Sequence, residues 1–130
     1  MDDANTLIPV NPAIENYMQK LLEKTGHPVL LEMEQLASLS SFPIVGRLIG
    51  AFLETQAKMV NAKRVFEFGS GYGYSAYWFA RAVGEGGRVI CSDSNPINCE
   101  RAEKYLSDAD LWKRLDFRVG KAQDVFMQTD

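Results

Sequence analysis

The chain carries only two cysteines, a single histidine, no surplus of basic residues and no long apolar run. Cys91 and Cys99 are too far apart for a CxxC motif and too few for a disulfide framework, so both are expected as free thiols. Cys91 falls in an apolar run and reads as buried filler, whereas Cys99 lies on a predicted helix without an activating base. His27 has no companion Cys or His, and its place in "TGHP" reads as a turn, not as a metal ligand or general base; no metal site is expected. The 14 Lys and Arg are interleaved with 17 Asp and Glu, for a net charge of −3. That leaves no basic block for nucleic acid or anionic lipid to meet. No segment approaches the roughly 20 apolar residues of a membrane-spanning helix. The opening "MDDANTLIPV" lacks the basic-then-apolar pattern of a secretory signal, and the cytoplasm is the expected location.

What is present has the balance of one globular domain: 130 residues, 46% hydrophobic and 24% charged. Within it the pattern changes near residue 60, from a helical segment over 1–60 to short β-rich runs over 61–130. In "NPAIENYMQKLLEKTGHP", Asn11 suits an N-cap, Pro12 the first helical position and Gly26 the end, with Ile14, Met18, Leu21 and Leu22 at helical spacing. A second helix is predicted in "PVLLEMEQLASLS" and a third in "IVGRLIGAFLETQAKMV", where Ile44, Leu48 and Phe52 form a stripe. Beyond residue 64, "RVFEF", "RVICS" and "LDFRV" alternate with amphipathic segments around "SAYWFARAV" and "NPINCERAEKYLSDADLW". The alternation predicts an α/β fold in which a βαβαβ unit forms a Rossmann-like parallel sheet, preceded by N-terminal helices.

The first β-rich run leads straight into Gly69, Gly71 and Gly73 and then a helix. Glycine there permits a sharp turn and close approach of a ligand, and the helix N-terminus offers N–H groups and positive dipole to an anion. A nicotinamide dinucleotide fingerprint would be GxGxxG, whereas "GSGYGY" is GxGxG with Tyr74 in sixth place, and such glycines serve a plain tight turn equally well. Asp93 adds a second feature, following the next strand about two dozen residues after the first glycine, where an acid meets ribose hydroxyls. Its other reading is an exposed acid ahead of a helix capped by Asn95 and begun by Pro96. After the third strand, "RVGKAQDVF" puts Gly120, Ala122 and Gln123 at the same sheet edge, where small residues admit a flat base and Gln123 can hydrogen-bond it.

In this order and spacing "VFEFGSGYGYSA", "SDSNP" and "GKAQDVF" resemble the first half of a class I S-adenosylmethionine-dependent methyltransferase, particularly the small-molecule O-methyltransferases of catechol and caffeoyl-CoA type. The resemblance covers roughly residues 44 to 130 and is most specific at Glu67-x-Gly69 followed by Gly73-Tyr74-Ser75. It implies that Glu67, Gly69, Gly71 and Gly73, with Ser70 in the same loop, surround the methionine part of S-adenosylmethionine (SAM), and that Ser75 binds its carboxylate. It further implies Asp93 on the ribose, Ser94 beside the adenine, and Ala122 and Gln123 bordering the base. Gly71 stands where a larger residue is often found, which implies a wider pocket at that point. Tyr72 is a candidate lid over the cofactor, while Trp78 and Phe79 are expected to pack their helix on the sheet. Glu100 and Lys104, at i,i+4, belong to a solvated helix face.

Methyl transfer from a sulfonium is an in-line displacement, so a protein must align acceptor oxygen and methyl group and help deprotonate the acceptor. In the metal-dependent branch of the resembled family, the metal ligands and the basic residue near the acceptor follow the third strand. The chain stops at Asp130, so the resemblance implies the cofactor-binding half of a truncated enzyme acting on a small hydroxylated acceptor. An uncovered first-strand edge points to a homodimer or larger assembly. The rival readings are a non-catalytic cofactor-binding or oligomerisation module and a nicotinamide-dependent oxidoreductase.

Overall fold

The computed structural model describes residues 11–130; the opening "MDDANTLIPV" lies outside the described residues. Helix α1 (Pro12–Leu22) starts as the sequence predicts, with Asn11 Oδ1 accepting from the Ala13 N–H at 2.9 Å and Pro12 at the first position. It ends short of Gly26, which instead takes a left-handed φ of +89° in the following turn. There the His27 N–H donates to the Tyr77 hydroxyl (2.9 Å) and His27 Nδ1 accepts from the Val29 N–H (3.2 Å), so His27 is a turn residue. Ile14, Met18 and Leu21 are all exposed, so the apolar side of α1 faces an open groove beside the third helix rather than the core.

Helix α2 (Val29–Ser40) buries Val29, Leu30, Met33 and Ala37, a core face at i, i+1, i+4 and i+8. It stops at Ser41, whose φ of +52° breaks the helix, and a short irregular segment leads into α3 (Gly46–Met59). The stripe expected from Ile44, Leu48 and Phe52 is not the packed one. Ile44 precedes the helix and Phe52 is exposed, whereas Gly50, Glu54 and Ala57 face inward. The reason is Trp78 of the helix after β1: its indole lies where any side chain at position 50 would go, so the glycine that interrupts the apolar pattern is the contact point. Trp78 therefore packs against α3, within the core that the helices share with the sheet. Buried Glu54 closes this interface, accepting from Lys58 at 2.5 Å and facing Arg81 at 3.4 Å.

Three parallel strands, β1 (Arg64–Glu67), β2 (Arg88–Asp93) and β3 (Leu115–Val119), lie in the order β1-β2-β3. Val65 pairs with Val89 and Cys91 with Phe117. Helices α4 (Tyr74–Val83) and α5 (Pro96–Asp108) form the two crossovers, and Asn95 caps α5 by accepting from the Ile97 N–H at 3.0 Å, as its sequence predicts. A single 3-10 turn (Trp112–Arg114) precedes β3 and a short helix, α6 (Ala122–Met127), follows it. Val89, Cys91 and Leu115 join Met33, Tyr72, Tyr77 and Leu106 in one core, so the leading helices and the sheet share a hydrophobic interior. Burial pushes the Cys91 thiol well above its ordinary value. β1 is an outer strand, and on it and beside it Phe66, Phe68 and Phe126 cluster in edge-on and tilted contacts with ring centroids 4.7 to 5.3 Å apart, the latter two exposed. Among the described residues no helix is long and apolar enough to cross a membrane.

Candidate functional site

The loop after β1 is tied down before any ligand is considered. The Ser70 N–H donates to Ser92 O (2.7 Å), and the Ser92 N–H returns a bond to Ser70 Oγ (3.1 Å). Ser92 Oγ in turn donates to Glu67 O (2.8 Å) and accepts from the Gly69 N–H at 3.3 Å. Ser92 is fully buried, and the sequence reading missed it; its signal was a hydroxyl inside the apolar run of β2. A buried hydroxyl must find partners, and here it satisfies backbone groups that the glycine turn removes from the strand ladder.

Asp93 works on the same loop. Its Oδ2 accepts from the Gly71 N–H (3.0 Å), while Oδ1 accepts from the Asn95 N–H (2.9 Å) and from Asn98 Nδ2 (3.1 Å). Thus the acid also braces the loop and the start of α5. A carboxylate has about four lone-pair sites, so acceptor capacity remains for a ligand hydroxyl. Glu67 is placed more deeply: Ser75 Oγ donates to its Oε1, and its Oε2 is buried with no hydrogen-bond partner. Loss of solvation raises the Glu67 pKa, against the lowering effect of the Ser75 hydroxyl. The Ser75 hydroxyl is thereby tied to Glu67 at the start of α4.

Gly69, Ser70, Gly71, Ser75 and Asp93 line one cavity of about 230 Å³. Its other wall comes from the α2–α3 connection, Phe42, Pro43, Ile44 and Val45, and Tyr72 and Tyr74 complete the lining. The sequence pattern read Ile44 only as part of a helical stripe and did not mark 42–45 as a site, because they approach the loop only through the docking of α2 and α3. Ligand pockets typically hold about 300–1,000 Å³, so this cavity suits one end of an extended ligand. The remaining candidates lie outside its lining, Glu67 behind Ser75 among them. Gly73, at φ +90°, faces α5, where a Cβ would sit 2.9 Å from Leu106 Cδ2. Ser94 is exposed, and Ala122 and Gln123 begin α6 at the same C-terminal sheet edge, which Gly120 joins by donating to Asp93 O at 2.9 Å.

Two expectations are corrected. The space above Gly71 is not wider: a Cβ at Gly71 would come within 2.9 Å of Phe42 Cε1 and Cζ, so the Phe42 ring fills the place of the larger side chain. Tyr72 is not a lid. It is 1% exposed, its hydroxyl donates to Met33 O at 3.0 Å, and its ring lies against Phe42 with centroids 4.7 Å apart. Packing of α2 over the loop pulls this tyrosine into the core.

A parallel sheet with a glycine loop and an acid at the C-terminal ends of neighbouring strands, roofed by preceding helices, defines a Rossmann-like methyltransferase fold. The sequence matches the O-methyltransferase family over residues 12–130, and the chain belongs to that family. It is 32% identical over 117 residues to a catechol O-methyltransferase of Niastella koreensis, a match covering 89% of this chain and 53% of the relative. Among solved structures, a methyltransferase from Geobacter sulfurreducens superposes with a TM-score of 0.82 at 34% identity, over 89% of this chain and 60% of that one. The O-methyltransferase TomG from Streptomyces achromogenes, solved in complex with SAM, also gives a TM-score of 0.82, at 27% identity, over 91% and 53% of the two chains. The chain therefore spans about half the length of the proteins it resembles.

Proposed function

We propose that the cavity beside the glycine loop binds SAM and that the chain serves methyl transfer to an oxygen of a small hydroxylated molecule. The observation carrying this reading is the convergence of Gly69, Ser70, Gly71, Ser75 and Asp93 on one cavity, in a chain of the O-methyltransferase family. The donor set suits an amino-acid end followed by a ribose. The first turn of α4 offers free N–H groups to a carboxylate, Ser75 adds a hydroxyl backed by Glu67, and Asp93 keeps acceptor capacity for hydroxyls. Ser94, Ala122 and Gln123, on the same sheet edge, are assigned to the adenine.

When bound, SAM supplies an electrophilic methyl group on a sulfonium. The chain's own contribution is alignment: Ser70 and Ser92 hold the loop to β2, Asp93 holds Gly71, and the Phe42–Val45 wall excludes water from one side. In this reading the helical residues up to 60 are part of the binding unit with the sheet from 61 onward, the protein is cytoplasmic, and the open β1 edge is covered by self-association. The rival oxidoreductase reading finds no support in the loop, where Tyr74 opens α4 at the position of the third fingerprint glycine.

Calorimetric titration of the chain with SAM, alongside NAD and an Asp93→Ala variant, tests this. Saturable SAM binding that the variant weakens, with none for NAD, is the expected result. A folded chain that ignores SAM, or takes NAD equally well, would overturn it.

A further inference from the structure

We propose that Tyr74 is a positioning residue of this site, and that with Glu34 and Arg47 it holds both walls of the cavity in one hydrogen-bonded unit. The inference rests on the reading of the cavity as the SAM site.

Tyr74 opens α4, is 3% exposed, and lines the cavity next to Ser75. Its hydroxyl donates to Glu34 Oε1 at 2.7 Å. The same carboxylate receives the Arg47 guanidinium as a fork, Nε on Oε1 at 2.7 Å and Nη2 on Oε2 at 3.2 Å. The remaining arm, Nη1, donates to the carbonyls of Leu22 (3.2 Å), Glu23 (2.9 Å) and Thr25 (3.0 Å) at the end of α1. Arg47 is the second residue of α3, set immediately after the Phe42–Val45 wall by Gly46, which turns at φ +77°. One carboxylate on α2 thus joins the first turn of α4, which forms one side of the cavity, to the residue that anchors the other.

A strut of this kind differs from ordinary packing. The body of α4 is already held by buried Ala76, Tyr77, Trp78 and Ala80, so the Tyr74 hydroxyl is not needed to keep the helix in place. Its reach is confined to the turn that carries the free N–H groups and Ser75, where small displacements change ligand contacts. Burial and the nearby Glu34 carboxylate hold the phenol far above its ordinary pKa, so it remains a donor throughout the physiological range. Replacement by phenylalanine removes the strut without emptying the ring's site, and Glu34 keeps its guanidinium. Lysine at position 47 keeps the charge but loses the fork.

The test measures SAM affinity by calorimetry and the ligand-free melting temperature for the wild-type chain, Tyr74→Phe, Arg47→Lys, their double variant, and Tyr77→Phe. Tyr77→Phe is the structural control, because it removes a phenol from the same helix, bonded to the His27 N–H and away from the cavity. The expected result is a dissociation constant raised about tenfold in each single variant. The double variant should be no weaker than either, and Tyr77→Phe should melt earlier with unchanged affinity. Should one single variant fail to fold, the other carries the same comparison. Unchanged affinity in folded Tyr74→Phe and Arg47→Lys, or fully additive losses in the double variant, overturns the inference alone. A wild-type chain that does not bind SAM overturns the reading beneath it as well.

Discussion

The Phe42 ring lies over Gly71 so closely that a single added methyl group at position 71 would come within 2.9 Å of its edge. Two segments far apart in the chain thus share one volume, with the ring supplied by the α2–α3 connection and the vacancy by the glycine loop. Gly71 also sits at φ +53°, so a side chain there meets both a backbone penalty and the ring.

Stability should reveal this pairing. Gly71→Ala is expected to cost about 1–3 kcal/mol, combining a left-handed backbone with displacement of the ring. In a Phe42→Ala background the same change should cost less, by roughly 0.5 kcal/mol or more, because the steric part has been removed. Chemical denaturation of the four chains in this cycle measures the difference; strictly additive costs would mean that the ring and the glycine do not compete for space.

Glu67 predicts a pH dependence with a definite sign. Its folded pKa is raised by burial, so the folded state holds a proton that the unfolded state has released. The stabilisation is therefore complete below the ordinary carboxylate pKa and is lost as pH rises through the raised folded value, with a slope of at most about 1.4 kcal/mol per pH unit for one proton. Glu67→Gln should flatten that loss. Asp116 acts in the opposite sense: its hydrogen bond from Arg118 lowers its pKa, so its contribution appears above the ordinary range and disappears as pH falls. Denaturation midpoints of wild type and Glu67→Gln, compared from mildly acidic to neutral pH, separate the two effects. Parallel curves would rule out a raised Glu67.

Tyr72→Phe should lower stability by about 1 kcal/mol through loss of the bond to Met33 O, while leaving SAM affinity unchanged. A lid would behave in reverse, with intact stability and weakened binding. The melting temperature and a SAM titration of the same preparation distinguish these outcomes.

Local chemistry alone was enough for the βαβαβ unit and its caps. Asn11 and Asn95 each accept from an N–H two residues on, and each precedes a proline that cannot donate, so their helices start where the sequence says. The three β-rich runs became three parallel strands because alternating apolar segments have few other ways to bury their faces. The convergence of Gly69, Gly71, Ser75 and Asp93 was likewise legible, since topology brings the ends of neighbouring parallel strands to one edge.

Tertiary structure decided what periodicity could not. Gly50 looked like an interruption in a helix and is the seat of the Trp78 indole; Phe52 looked like core and is exposed. The Phe42–Val45 wall, the core position of Tyr72 and the Glu34–Arg47–Tyr74 unit all follow from the docking of α2 and α3 over the loop. Sequence spacing records which side chains share a face of their own element. Which foreign surface that face meets depends on close packing of whole elements, where one indole or one missing methyl group decides the register of contact.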